Sequence, residues 1–465
     1  MFKTVLKREI LHNLYSLRFM LSLVLVLAVF VAHSLSFVRS HASAMEKYRE
    51  TRGLAVKAMQ NDASQSATRL AVTPRYFDLR PRDNAFIADA KERFLPNALR
   101  YSAWNVFGFQ NKSGSSNPFL PRYDELNWMF IAALIISFVT FLFTFDAVSG
   151  EKESRTLAQA LSNSVSRGTL LFGKYVSAIL SVLLILVPGA LVSLLIVLLA
   201  GSVSWSAGLA GETAAYLAVA GLLTAVMAAF GLLCSVIARN SNVSLLLALS
   251  AWILFAVVIP NSSAFIAKNL YPIEKAESVQ KRVNVAFEDL NKGAPPGSWM
   301  MNSGNPFLPQ HELRADLQRK RLAAEKAIRD DYYRVMFRQF EKTRQLISIS
   351  PVAAFGFLVD AAVGGGYQRF RKAWDDIHVY QTQFQEYFTA LDAKDPKSPH
   401  WLNPNEDVST TRLAADFETV PQFTEQPMSL SGRLKPALLY LIILVVMGCL
   451  VFFASFILFV RYDVR

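Results

Sequence analysis

The sequence predicts a membrane protein of the all-α class. Six transmembrane helices are expected, with a mixed, mostly helical extracytoplasmic domain built from two inserts. Three observations predict this. Of 465 residues, 52% are hydrophobic and only 18% are charged, against about 25% charged residues in soluble domains. Mean hydropathy is positive, at +0.28. Apolar runs also recur along the chain, each near the roughly 20 residues that cross a hydrocarbon core of about 30 Å.

Residues 1–18 are a basic amphipathic start, mixing Val5, Ile10, Leu11, Leu14 and Leu17 with Lys3, Lys7, Arg8 and Arg18. That pattern suits a helix lying in the cytoplasmic interface. Residues 19–38 are the first span. Ala42-Ser43-Ala44 resembles a signal-peptide cleavage site, but the apolar run exceeds the usual length and Arg39 and His41 intervene, so a retained anchor is expected. His33 in this span is read as a packing residue near the outer interface. Residues 39–127 form the first polar insert, irregular at 75–86 and 112–126 by their Pro, Gly and Ser content.

Residues 128–145 are the second span. The segment 146–174 that follows is short and polar. Its first half, SGEKESRTLAQAL, reads as one short amphipathic helix. Ser149 and Gly150 suit a helix start, and Glu151 and Glu153 fall in the first turn, where acids complement the helix dipole. Leu157 and Leu161 are four apart and share a face. Ser166 can cap the next helix, which runs straight into the third span, 175–199, where Pro188-Gly189 predicts a kink. A small helix lying across the ends of two membrane helices can be pushed by a soluble partner and pass the push to both.

The loop 200–212 has no Lys or Arg. The fourth span, 213–236, is rich in Gly and Ala, which permits close helix approach. After a tight turn at 238–242 comes the fifth span, 243–260. Residues 261–435 are the second polar insert. Within it, 311–348 reads as a long charged helix and 349–388 as two helices broken at Gly364-Gly365-Gly366. Residues 393–435 read as loop or short strands. The sixth span is 436–460. Asn117-Pro118-Phe119-Leu120-Pro121 recurs as Asn305-Pro306-Phe307-Leu308-Pro309, either by coincidence or as paired docking turns.

Orientation follows from basic residues. With both termini cytoplasmic, the inward pieces carry Lys3, Lys7, Arg8, Arg18, Lys152, Arg155, Arg167, Lys174, Arg239, Arg461 and Arg465, while the short outward loop carries Glu212 and no base. This is the positive-inside bias. The formal charge of +12 is therefore read as membrane orientation. A nucleic-acid partner is not expected, because the basic excess is not clustered on one folded domain. The two cysteines, Cys234 and Cys449, lie in apolar runs, so the inserts can build no disulfide framework or cysteine zinc site.

No G-x-x-x-x-G-K-[ST] loop, H-E-x-x-H motif or nucleophile elbow is present. A membrane enzyme is thus disfavoured, and no catalytic, cofactor or metal residue is assigned. The six spans contain no Asp, Glu, Lys or Arg. Ion-coupled carriers need intramembrane ionisable groups, so energy for any transport must enter from outside the chain.

Gly150-Glu151-Lys152-Glu153-Ser154-Arg155-Thr156-Leu157, then Ser166-Arg167 and Gly173-Lys174, resembles the signature of ABC-2 type transporter permeases, roughly G-E-[KR]-E-x-G-T-L, a spacer, S-R and G-K. Arg155 departs from it, standing where that family usually has Gly. Ser350-Pro351, Phe355, Gly364 to Gly366, Tyr367, Phe370 and the helix to Phe388 resemble a bacterial subgroup with large extracytoplasmic domains, linked to export, copper-site maturation and gliding-type machinery. The resemblance implies a non-catalytic permease subunit in the bacterial inner membrane. It implies two copies of an ATP-binding subunit that hold the ATP and Mg, a second permease subunit, identical or homologous, and surrounding lipid. Glu151, Lys152, Glu153, Arg155, Thr156, Leu157 and Leu161 would form the ATPase-coupling contact, and Lys3, Lys7 and Arg8 would mark the interfacial helix. A periplasmic partner is a further expectation if the outer domain transmits motion with nothing crossing. The rival class is a membrane-anchored binding or scaffold protein with no ATPase.

Overall fold

The computed structural model describes residues 2–89, 98–104, 108–110, 126–162, 166–296, 298, 309–401 and 410–462. Helix α1 (Phe2–Leu14) ends in a turn, and Ser16 then caps α2 (Leu17–Gln65), accepting the Phe19 N–H. α2 has 49 residues and so runs about 74 Å, over twice a bilayer core. Polarity ends the expected span at residue 38 but does not end the helix. No proline falls within α2, and its one glycine, Gly53, is exposed, so nothing stops the helix before Ser66. The polar half becomes a stalk. α3 (Ala67–Val72) and three antiparallel strands follow: β1 (Arg75–Asp78), β2 (Ala98–Tyr101) and β3 (Gly108–Gln110), ordered β1-β2-β3 with Arg75 opposite Tyr101.

The second expected span is shorter than its apolar run. It forms α4 (Trp128–Leu142), capped by Asn127, and residues 131–136 of it are π-helical. After it come α5 (Ser149–Glu153), α6 (Thr156–Ser162), α7 (Arg167–Leu199), α8 (Ala207–Ile237) and α9 (Ser241–Asn261), the last π-helical at 253–258. The single helix expected over SGEKESRTLAQAL is two, α5 and α6. α7 continues through Pro188 as one helix, and at Gly189 a Cβ would meet the Phe30 ring at 2.6 Å. Glycine thus lets α2 and α7 approach closely. Then follow α10 (Ser263–Leu270), α11 (Ala276–Lys292), α12 (Pro309–Ile347), α13 (Pro351–Val363), α14 (Gly366–Asp392) and α15 (Leu430–Arg461).

Among the described residues five helices, α2, α7, α8, α9 and α15, are long and apolar enough to cross a membrane. Six were expected. α4 is the shortfall, since residues 143–148 turn rather than extend it. The helix at 311–348 is found as α12. The break at Gly364-Gly365-Gly366 is also present: Gly364 and Gly366 have φ of 67° and 64°, a region favourable only to glycine. The two Asn-Pro-Phe-Leu-Pro copies and the 112–126 segment lie outside the described residues, apart from Pro309 and Leu126.

The largest core is the bundle. Phe30, Phe86, Trp128 and Tyr216 fill its centre, and all are fully buried. Trp128 Nε1 donates to Ser193 Oγ at 2.8 Å, Ser193 shares a 2.6 Å bond with Ser34 Oγ, and the Tyr216 hydroxyl donates to the Trp128 carbonyl at 2.7 Å. Each buried polar atom in that set is satisfied, as a low-dielectric core requires. His33 is buried there too, its Nε2 3.0 Å from the Phe86 carbonyl.

α13 joins this core. Phe355, Leu358 and Val359 are buried with the spans, and the helix packs on α8, α15 and both π-helical segments. Its N-cap, Ser350, accepts the Ala353 N–H and donates to the Phe255 carbonyl in the π segment of α9. At 13 residues it measures about 20 Å, too short to span. The sequence places it in the second insert as one of two helices; its apolar surface seats it in the bundle instead.

A second core builds the polar head from the α2 stalk, α3, α12 and α14, around Met59, Leu70, Phe337, Trp374, Ile377 and Phe384. The head lies at one end of the bundle, the distal face. At the other end, the terminal face, α1, residues 146–174 and the end of α15 meet around Val148, Leu157, Leu171, Leu232 and Phe459.

Candidate coupling site

Residues 146–174 are held at the terminal face by an ion pair or hydrogen bond to nearly every helix end there. α5 has no side-chain cap of its own. Ser235 of α8 takes that role, accepting the Val148 and Ser149 N–H groups at 2.9 and 3.0 Å. Ser149 is buried, and its hydroxyl donates back to the Phe145 carbonyl. Orphan amides at a helix start need such acceptors, and here a neighbouring span supplies one.

Glu151 turns inward. Its Oε1 lies 2.8 Å from Lys174 Nζ, and Lys174 also reaches both Glu9 oxygens at 3.3 Å. Lys174 is only 6% exposed, so it is a cation held out of water by two carboxylates. This joins α1, α5 and α7. Gly173 makes the approach feasible, because a Cβ there would meet Val5 of α1 at 2.8 Å. The Gly-Lys pair therefore has a division of labour: Gly173 admits α1 and Lys174 binds it.

Lys152 and Glu153 grip the turn between α8 and α9. Lys152 Nζ donates to the Val236 and Ala238 carbonyls at 2.5 and 3.1 Å and lies 4.3 Å from the Tyr462 ring centre. Burial pushes its ammonium below the usual lysine range. Glu153 Oε2 accepts the Ser241 N–H at 3.0 Å. Hydrogen bonds from Ser241 hold that carboxyl below its ordinary value. A cation thus sits at the end of α8 and an anion at the start of α9, each matching its helix dipole. The acids complement a dipole as expected, but Glu153 does so for α9.

Arg155 explains the break between α5 and α6. Its φ is +60°, a left-handed conformation that disfavours any residue with a Cβ. The family resemblance has Gly at this position, which is what the backbone calls for. Ser154 closes α5 by donating to the Gly150 carbonyl at 2.8 Å. Leu157 is 2% exposed and anchors α6 in the terminal core. Leu161 belongs to α6, and its side chain lies outside the described residues.

Ser166 caps α7 as expected, accepting the Thr169 N–H. Arg167 donates to the Val460 and Tyr462 carbonyls at 2.6 and 2.7 Å, closing the end of α15. Arg18, at the start of α2, pairs with Asp146 at 2.7 Å and donates to the Leu142 carbonyl of α4.

The expected contact residues thus divide. Glu151, Lys152 and Leu157 are used internally, Glu153 is exposed yet bonded to Ser241, and Arg155, Thr156, Ala158 and Gln159 are exposed. On α1, Lys3, Lys7 and Arg8 are exposed and Glu9 faces Lys174. A polar cleft of about 400 Å³ opens between α1 and the segment, lined by Arg8, Glu9, His12, Asp146, Glu151 and Lys174 among others. Sequence reasoning misses Glu9, Ser235 and the capping by Arg167. The signal for the first was present: Glu9 is the only acid among residues 1–18, and Lys174 stands at the edge of an apolar run.

A family model described as "ABC-2 family transporter protein" matches residues 3–464. The chain belongs to the ABC-2 transporter family. No curated protein matches it closely enough to add to that. As an ABC-2 protein it is a multi-pass membrane component of a transport system, and the family is generally the non-catalytic transmembrane part. The family also implies an ATP-binding partner.

Proposed function

We propose that this chain is the permease subunit of an ABC transporter whose segment 146–174 receives motion from a separate ATP-hydrolysing subunit. The terminal face is cytoplasmic in this reading, in the bacterial inner membrane, and the head built from the α2 stalk, α3, α12 and α14 is extracytoplasmic. Two nucleotide-binding subunits, which hold the ATP and Mg, dock beneath a pair of permeases, identical or homologous. The exposed residues Glu153, Arg155 and Thr156 meet the partner.

The observation that carries this reading is the Lys174 bridge to Glu9 and Glu151. A push on α5 is transmitted to α1 and α7 through buried charge, to α8 and α9 through Lys152 and Glu153, and to α15 through Arg167. Rigid links of this sort pass displacement rather than absorb it. The positive-inside bias independently supports this orientation. Phe30, Phe86, Trp128 and Tyr216 fill the centre of the single chain. That favours a path between paired subunits, or purely mechanical movement of the head against a periplasmic partner, over a pore through one chain.

The test is charge reversal at the exposed face. Arg155→Glu with Thr156→Glu should leave the permease in the membrane at normal level but abolish copurification of a P-loop ATPase and its permease-stimulated hydrolysis. Unchanged copurification and stimulation would favour the scaffold reading.

A further inference from the structure

Two clefts in the head lie side by side near the distal face. One, of about 500 Å³, lies between the head, the loop before α8 and the start of α15. The other, of about 290 Å³, lies along the α2 stalk. They share Tyr48, Arg52, Phe77 and Phe423 as a common wall. Their linings differ. The larger is cationic, with Arg52, Arg80, Arg82, Arg369, Lys372 and Arg433 against the carboxylates of Asp83, Glu212, Asp376 and Glu425. The smaller is mainly apolar, with Val56, Met59, Phe77, Tyr101, Tyr380 and Phe423 in its walls beside the paired Asp62 and Arg75, and Asp78.

Most of the charges are balanced in pairs. Arg80 meets Asp83 at 3.1 Å, Arg369 meets Glu425 at 2.6 Å, Arg433 meets Glu212 at 2.9 Å, and Lys372 meets Asp376 at 2.5 Å. The pairs make the wall rigid. Gly364 and Gly365 hold it in place, since a Cβ at either would strike Arg433 or Arg82. The lining holds six cations and four carboxylates. Arg52 stands at the seam, exposed, and its guanidinium bonds the Tyr48 hydroxyl at 3.1 Å with no carboxylate bridged to it among the described residues. A guanidinium free to take a bidentate anion, beside an aromatic-walled slot, is the arrangement that recognises an acidic head joined to an apolar body.

We propose that these two lobes form one binding site for an amphiphilic anion, a phosphate or carboxylate monoester-sized head with an aromatic or acyl body. The head group is held by Arg52 in the cationic lobe, and the apolar body lies in the Phe77–Phe423 lobe. The two rings meet edge to face with centroids 4.2 Å apart, so they form a fixed wall. The site lies in the head, at the opposite end of the bundle from residues 146–174, and its existence requires no ATPase.

The test uses the full chain in nanodiscs of phosphatidylcholine, without nucleotide, and phenyl phosphate as the probe in titration calorimetry. Phenyl phosphate should bind, with inorganic phosphate and benzyl alcohol each at least about tenfold weaker, because each engages one lobe only. Arg52→Ala should weaken phenyl phosphate roughly tenfold or more, the scale of one charged hydrogen bond. Ala55→Trp, at an exposed stalk position that borders the apolar lobe, should weaken it independently by filling the slot. Competition by phosphatidic acid placed in the nanodisc would assign the membrane as the ligand's source, and its absence a soluble amphiphile; either supports the site. Absence of phenyl phosphate binding, equal binding of benzyltrimethylammonium or of inorganic phosphate, or unchanged affinity in both variants would overturn it.

Discussion

Lys174 Nζ sits 2.8 Å from Glu151 Oε1 with the carboxylate of Glu9 at 3.3 Å, so one buried lysine joins the N-terminal helix to the segment between α4 and α7. Removing one partner of such a pair strands charge in a low-dielectric site, which costs about 3–5 kcal/mol when burial is complete. Lys174→Met should therefore lower stability by roughly 3 kcal/mol, read as a fall in Tm for the chain in detergent. Glu151→Gln in the same background should recover part of the loss. Strict additivity of the two single changes in a double-mutant cycle would remove the interaction from the account.

Arg155 holds φ of +60° without being glycine. Arg155→Gly should relieve that conformation and stabilise the chain by about 1 kcal/mol. Arg155→Val, β-branched, should destabilise it. A lower Tm for the glycine variant than for wild type would mean that the guanidinium, and not the backbone, decides this position.

Glu153 has its carboxyl depressed by hydrogen bonds from Ser241. The folded pKa lies below the unfolded one, so the contribution is present above the ordinary carboxylate value of 4.5. It is lost as pH falls through the depressed folded value. Thermal melts of wild type and Glu153→Gln should differ at neutral pH and converge in acid. A gap that does not narrow as pH falls would separate the effect from titration of this group.

Gly173 leaves room for Val5, where a Cβ would meet it at 2.8 Å. Gly173→Ala should displace α1 and destabilise the chain by about 1–3 kcal/mol through overpacking. Val5→Ala in the same chain should restore much of it. The readout is protection of α1 amides in hydrogen exchange, and failure of the second change to recover protection would point away from this contact.

Arg344 is 7% exposed and lies 4.2 Å from the Phe357 ring centre, with Tyr440 at 5.6 Å and Phe340 at 5.7 Å. It joins α12 of the head to α13 and α15 of the bundle. A planar guanidinium stacks on rings where an ammonium does not. Arg344→Lys should cost about 1–2 kcal/mol and raise exchange of α13 amides, and equal protection in both proteins would show that positive charge alone suffices there.

Much of this was legible because it depends on local pattern. Apolar runs mark five of the long helices, Ser166 marks a cap, and the three glycines at 364–366 mark the break between two helices. The differences each have their own physical reason. α2 runs past residue 38 because helix continuation depends on the absence of a stop, which hydropathy does not register. SGEKESRTLAQAL splits because one residue, Arg155, takes a left-handed backbone. α13 lies among the spans although its neighbours in sequence are polar, because burial of its apolar surface there outweighs its place in the chain.

The sequence by itself determined the class of protein, the order of its helices and the segment 146–174 as the place to look, since hydropathy and short motifs are properties of neighbouring residues. Tertiary structure alone decided what that segment does with its charges: which carboxylate turns in to Lys174, which caps α9, and which residues stay exposed. Those choices depend on groups far apart in the chain, such as Glu9 and Lys174, separated by 165 positions, and on the low dielectric that only packing creates.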